Sequence, residues 1–133
     1  MSRTKIAIAG ALGRMGNNLI NSALSNNNVE LVGVFDVNDI DPSFINKNQI
    51  QENVFTTREE SFEKADIVID FTTPKALFNF TEAAVSNNTG LVIGTTGLDE
   101  SHFNLLKQTS NSTKVFYAPN TVSYTHLTLP TNC

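Results

Sequence analysis

A short apolar run, Lys5-Ile6-Ala7-Ile8-Ala9, feeds directly into a turn carrying Gly10, Gly13 and Gly16. From that turn onward Met15, Leu19, Ile20, Ala23 and Leu24 recur at helical spacing. A buried strand, a glycine turn and an amphipathic helix in that order leave few folds open. The alternation then continues. Val29 to Asp36 reads as a second strand, Val54-Phe55 as a weak third and Ile67 to Phe71 as a strong fourth. Leu91 to Gly94 is the fifth and Lys114 to Ala118 the sixth. Asn26-Asn27-Asn28 closes the first helix, and residues 58–65 have room for two helical turns. Thr73 is suited to cap a helix with Pro74 in its first position, and Ala76, Leu77, Phe80, Ala83 and Ala84 form its apolar face. Asn87 to Gly90 stops it, and Asp99 caps another helix through Asn111. Residues 37–53, polar and containing Pro42, read as a loop. Continuous apolar strands alternating with helices imply parallel strands covered on both faces. The expected fold is α/β, a Rossmann-like doubly wound parallel sheet in a single domain. A flavodoxin-like domain has a similar pattern of elements, so the glycine loop has to decide between them.

Length and charge narrow the function classes. A chain of 133 residues is one domain by length. Nine Lys and Arg against 13 Asp and Glu give a net charge of −4, which removes the electrostatic footing for non-specific nucleic-acid binding. No apolar run approaches the ~20 residues that span a bilayer. The one cysteine is Cys133, so no disulfide framework forms within the chain. The apolar segment near Met1 is too short for a signal peptide. A reducing, cytoplasmic setting is expected, with no membrane or nucleic-acid partner.

The glycines Gly10-Ala11-Leu12-Gly13-Arg14-Met15-Gly16 are spaced GxxGxxG rather than GxGxxG. Gly10 permits the tight turn. Gly13 lets the backbone approach a pyrophosphate, and Gly16 lets the helix pack close to the sheet. Phosphates would sit on the free N–H groups at the positive end of the helix. Alone this motif is weak; following a buried strand and preceding an amphipathic helix, it reads as a dinucleotide site. Asp36 ends the second strand twenty residues after Gly16, where a carboxylate can accept from adenosine ribose hydroxyls. The bland alternatives are a plain strand-to-helix turn and a solvated strand-end Asp.

Two further segments lie at strand C-termini, where open α/β sheets bind ligands: Asp70-Phe71-Thr72-Thr73-Pro74 and Gly94-Thr95-Thr96-Gly97. Gly94 and Gly97 permit backbone approach, and the Thr hydroxyls donate or accept. Phe71 is placed either beside an adenine or nicotinamide ring or in the core. His102 and His126 read as bland surface residues, with no cluster at metal-ligand spacing and no positioned base. No P-loop or nucleophile motif is present.

In this order and spacing, the segments Gly10–Gly16, Asp70–Pro74, Ile93–Gly97 and Ala118-Pro119-Asn120 resemble bacterial 4-hydroxy-tetrahydrodipicolinate reductase. The resemblance covers residues 5 to about 120. It implies a cytoplasmic oxidoreductase of the diaminopimelate route to lysine. That family reduces 4-hydroxy-tetrahydrodipicolinate to tetrahydrodipicolinate with NADH or NADPH. It also implies that Gly10, Ala11, Leu12, Gly13, Arg14 and Met15 surround the phosphates and that Asp36 meets the ribose. Gly94, Thr95, Thr96, Ala118, Pro119 and Asn120 would lie on the nicotinamide side. In the family, catalytic residues, the small-molecule substrate site and the homotetramer contacts belong to a second domain.

The chain departs from the family pattern at two places. Val37 and Asn38 follow Asp36 where an Arg often stands, and Thr73 occupies another position that is Arg in some members. A carboxylate with no adjacent cation favours NADH over NADPH, with Arg14 the one residue able to reverse this. After Asn120, Thr121 to Cys133 (TVSYTHLTLPTNC) resembles translated sequencing adapter more than family sequence. The expected organisation is therefore a dinucleotide-binding domain over 1–120 and a tail over 121–133 foreign to the family, artefactual or disordered. On that reading the catalytic and tetramerisation domain is missing, no catalytic residue lies in this chain, and the chain alone is inactive. The alternatives are the cofactor domain of another nicotinamide-dependent dehydrogenase and a non-enzymatic dinucleotide sensor. Thr95-Thr96 argue against a semialdehyde dehydrogenase, which needs a cysteine after the fifth strand.

Overall fold

Ile6 and Ile8 join one buried cluster while Ala7 and Ala9 join another, the two-residue period of a strand buried on both faces. A computed structural model describes residues 3–118. These residues form β1 (Thr4–Ala9), which lies inside a five-stranded sheet with β2 (Val29–Phe35), β3 (Ile67–Asp70), β4 (Gly90–Ile93) and β5 (Val115–Tyr117). Every pairing is parallel and the order is β2-β1-β3-β4-β5. The helices are α1 (Arg14–Leu24), α2 (Pro42–Lys47), α3 (Arg58–Lys64), α4 (Leu77–Asn87) and α5 (Glu100–Thr109). Leu19, Ile20 and Ala23 of α1 cover the Ile6 and Ile8 face, with Phe44 and Ile45 of α2 packed against the same cluster. Phe62, Leu77, Phe80, Ala84 and Leu106 bring α3, α4 and α5 onto the Ala7 and Ala9 face. The doubly wound, wholly parallel sheet agrees with the sequence reading. No helix of the described residues is long and apolar enough to cross a membrane.

Three local expectations need correction. Val54-Phe55 does not form a strand. It contributes one parallel bridge, Phe55 to Gly33, in which Phe55 N–H donates to Val32 O (2.8 Å) and Val34 N–H to Phe55 O (2.9 Å). Thr57 caps α3 two residues later, so the pairing has no length in which to grow. The bridge nonetheless occupies the position beyond β2. It extends the order past the five-strand 2-1-3-4-5 arrangement shared with flavodoxin-like sheets, toward that of dinucleotide folds.

The segment 37–53 is not wholly a loop. Asp41 accepts from Ser43 N–H (2.7 Å) and Pro42 takes the first position of α2. The residues read as loop punctuation are an N-cap and an N1 proline.

Thr73 does not cap α4 with its side chain. Its carbonyl accepts from Ala76 N–H (3.1 Å), closing a 3₁₀ turn over Pro74–Ala76 before α4 begins at Leu77. At the far end, Asn88 adopts the left-handed conformation (φ 54°) that Asn tolerates, and Thr89 N–H returns to Ala84 O (2.8 Å).

Candidate functional site

After β1 the chain moves outward to β2 and then crosses back to β3 on the other side of β1. The order reverses there, and the strand C-termini on either side open a crevice. The Gly10–Gly13 loop lies on one side of it and Phe71-Thr72 on the other. They touch: a Cβ on Gly10 would come within 2.7 Å of the Phe71 carbonyl oxygen, and Gly10 has φ +83°. Both the approach and the dihedral require glycine here.

The loop is fixed from β2. Phe35 O accepts from both Gly10 N–H (3.0 Å) and Ala11 N–H (3.1 Å). Asp36 Oδ2 accepts from Leu12 N–H (2.9 Å), and Asp36 Oδ1 accepts from Val37 N–H (2.7 Å). The half-buried Asp36 carboxylate is therefore held against the glycine loop, although the two are 24 residues apart along the chain.

Gly13 and Gly16 divide the labour. Gly16 is buried, and a Cβ there would fall onto the Gly10 carbonyl and within 2.9 Å of Ala11 Cα. It is required by the packing of α1 on its own loop. Gly13 is exposed, and a Cβ there would meet only Gly10 O, at 3.4 Å. The fold has room for a side chain at Gly13. Gly13 is also the N-cap of α1, with no side-chain cap and no acidic residue in the first turn. By contrast α2, α3 and α5 are capped by Asp41, Thr57 and Asp99. The α1 N-terminus presents uncompensated N–H donors across an open glycine, the geometry of an anion cradle.

Of the remaining positions, Ala11 is buried, Leu12 and Arg14 are exposed, and Met15 packs against the core beneath the loop. Phe71 is half-buried against the same core. Its ring lies under Gly94, where a Cβ would come within 2.8 Å of Phe71 Cδ1. Gly94, expected from the sequence as a backbone approach point for ligand, thus seats the ring of Phe71. Thr95 is buried and Thr96 exposed beside it. Ala118 donates its N–H to Ile93 O (2.8 Å), extending the same edge. Pro119 and Asn120 lie outside the described residues, as does the 121–133 tail.

A cleft of about 440 Å³ continues the crevice past Asp36. Its walls are Asp36 to Asp39 after β2, Thr56 to Glu59 at the start of α3, and Thr72 with Ala76 and Asn79. Phe35 and Phe80 form its base, within a three-ring cluster completed by Phe62 at centroid separations of 5.7–5.9 Å. The residues at 56–59 and at Asn79 were not singled out in the sequence, because no local pattern shows that α3 and α4 meet the end of β2.

Residues 4–121 match the family described as "Dihydrodipicolinate reductase, N-terminus". The chain belongs to the dihydrodipicolinate reductase family. The 4-hydroxy-tetrahydrodipicolinate reductase of Sulfurimonas denitrificans is 38% identical over 120 residues, covering 87% of this chain and 44% of that protein. That of Pseudoalteromonas translucida is 34% identical over 125 residues, covering 90% and 46%. Among solved structures, the dipicolinate-bound dihydrodipicolinate reductase of Paenisporosarcina sp. TG-14 superposes with a TM-score of 0.68. It shares 29% identity and covers 90% of this chain and 48% of that one. The chain spans less than half the length of the curated relatives it matches.

In this reductase-family domain the β3 and β4 ends are joined through a buried carboxyl group. Asp70 is fully buried, and its Oδ1 accepts from Thr72 N–H (2.9 Å) and the Thr72 hydroxyl (2.6 Å). Thr95 Oγ1 accepts from Thr72 N–H (3.1 Å) and donates to Asp70 O (3.3 Å). Asp70 Oδ2 has no hydrogen-bond partner among the described residues. Burial pushes this carboxyl above its ordinary value, against the Thr72 and Thr95 hydrogen bonds that draw it down. A group raised in the fold keeps a proton that the unfolded chain has already released. Stability therefore falls as pH rises from the ordinary carboxylate range toward the raised value. Asp70→Asn removes that loss, so its stability relative to wild type should improve with rising pH across that window. Urea midpoints measured through the acidic range check this; a pH-independent difference contradicts it.

His102, expected on the surface, is buried at 8% exposure. Its ring packs on Phe78 (centroids 5.4 Å apart), and its Nδ1 accepts from Asp99 N–H (3.1 Å) in a reciprocal capping box. Nδ1 also lies 2.9 Å from Asp99 Oδ1. The histidine closes the start of α5 just beyond the Gly94–Gly97 loop.

Proposed function

We propose that this domain is the dinucleotide-binding half of a 4-hydroxy-tetrahydrodipicolinate reductase. The complete enzyme would reduce 4-hydroxy-tetrahydrodipicolinate to tetrahydrodipicolinate with NADH or NADPH on the diaminopimelate route to lysine. The observation that carries this reading is Gly13, an exposed N-cap glycine whose missing side chain leaves a cradle in front of free helix N–H groups. The residues fit a pyrophosphate there, with Gly10 to Met15 around it and Asp36 beside the ribose. Gly94, Thr95, Thr96 and Ala118 border the nicotinamide side, and Pro119 and Asn120 would extend it. When bound, the nicotinamide supplies the hydride. This chain's residues orient the dinucleotide. Asp36 holds the loop through Leu12 N–H, and the buried Asp70 and Thr95, with the half-buried Thr72 between them, keep the β3 and β4 ends in register. Substrate binding, acid chemistry and tetramer contacts would come from a second domain, as in the family, working in the cytoplasm.

Purified protein titrated with NADH should melt at higher temperature. A ligand that binds only the folded state adds about 2.7 kcal/mol at a hundred times its Kd. Absence of stabilisation by either dinucleotide would overturn the reading.

We also propose that NADH binds more tightly than NADPH. A 2′-phosphate in the cleft would face Asp36, Asp39 and Glu59. Repulsion at contact range is worth about 1 kcal/mol in water and more where solvent is excluded. An affinity ratio of about 5–30 corresponds to about 1–2 kcal/mol. Calorimetric titration of both dinucleotides at one ionic strength measures it, and equal or tighter NADPH binding would reject it.

A further inference from the structure

Of the described residues that line the cleft beside Asp36, Arg58 alone is a cation, against the three carboxylates of Asp36, Asp39 and Glu59. It comes from a distant part of the chain, and the fold fixes its place there. The Phe55 bridge to Gly33 pins the incoming segment to β2. Thr57 caps α3, accepting from Glu60 N–H (3.3 Å) and donating to Glu60 Oε1 (2.8 Å). The buried Ser61 and Phe62 then seat the helix on the sheet. Arg58 is therefore the first residue of a well-anchored helix.

A cation is out of place there on local grounds. The first turn of a helix favours acidic residues, and α3 supplies Glu59 and Glu60 at its next two positions. A residue that breaks a local rule is a candidate for function. The side chain is 44% exposed, and it pairs with the neighbouring Glu59 at 3.1 Å, itself 73% exposed. Such a surface pair is weak and easily exchanged for a better partner. A guanidinium meets a phosphate through two parallel charge-assisted hydrogen bonds, which a carboxylate-rich cleft otherwise lacks.

Resting on the dinucleotide reading above, we propose that Arg58 is a specificity-determining residue that engages the 2′-phosphate of NADPH. Glu59 opposes it by competing for the guanidinium. Asp36, Asp39 and Glu59 favour NADH, and Arg58 limits how far they do so. The two neighbours at the start of α3 thus tune one preference in opposite directions.

Calorimetric titrations of the whole chain with NADH and with NADPH test this at one ionic strength, with circular dichroism confirming each variant's fold. Arg58→Gln should weaken NADPH by about tenfold and leave NADH within about twofold. Arg58→Lys keeps the charge without the fork and should fall between. Glu59→Gln should tighten NADPH by a few fold and leave NADH unchanged, and the double variant should lose that gain. Equal loss of both dinucleotides in Arg58→Gln, or unchanged NADPH affinity, would overturn the assignment while leaving the dinucleotide site intact. Failure of wild type to bind either dinucleotide would overturn the site itself.

Discussion

Gly13→Val keeps the sheet folded and lowers dinucleotide affinity by about a hundredfold or more. The backbone at Gly13 is extended (φ −78°, ψ 168°), a conformation open to any residue. A Cβ meets only Gly10 O at ordinary contact distance. The cost to the fold is therefore small. The added methyl groups stand in front of the α1 N–H donors, so a pyrophosphate loses both its close approach and its hydrogen bonds. A hundredfold loss is about 2.7 kcal/mol, roughly two charge-assisted bonds to a phosphate. Calorimetry gives the affinity and thermal melting the fold. Unchanged affinity would place the phosphates elsewhere.

Gly16→Ala has the opposite profile. The single added carbon would fall onto the Gly10 carbonyl and within 2.8 Å of Gly10 C, where only backbone can give way. Either α1 lifts from the loop or the loop leaves its bonds to Phe35 O. Overpacking of this kind costs about 3 kcal/mol, at the upper end for one methyl group, because the atoms struck are not a movable side chain. For a domain of this size that lowers Tm by roughly 10 °C. A urea or thermal midpoint within error of wild type would show that the loop relaxes freely. The two glycines stand three residues apart in one motif, and the pair of variants separates binding from folding.

How much of this was legible along the chain depends on the range of the interaction. The strands at Ile6, Val68 and Leu91 announce themselves by continuous apolar runs, and α1 by the spacing of Leu19, Ile20 and Ala23. Each pattern is complete within about ten residues, so it is encoded where it is expressed. The glycine loop is similar: strand, turn and helix are adjacent, and the roles of Gly10 and Gly16 follow from that adjacency. Asp36 was recoverable as the end of the next strand. The resemblance to the reductase family rested on these same short motifs, and the family match bears it out.

Other features have no local signature. Phe55 is bridge rather than strand because Thr57 begins a helix at once and the position beyond β2 allows only one pairing. His102 is buried because α4 carries Phe78 to it, although its chain neighbours Ser101 and Phe103 are both exposed. Gly94 serves the ring of Phe71, 23 residues earlier, a contact made when β3 and β4 pair in register at Asp70 and Ile93. Arg58 reaches the Asp36 cleft only because the chain crosses from β2 to β3 and lays α3 along the way. Periodicity and turn chemistry act between residues a few positions apart, and the amino-acid order expresses them directly. Strand order and helix docking act between residues twenty or more apart. The free energy of burying Phe35, Phe62 and Phe80 together selects those juxtapositions, and the chain acquires them only on folding.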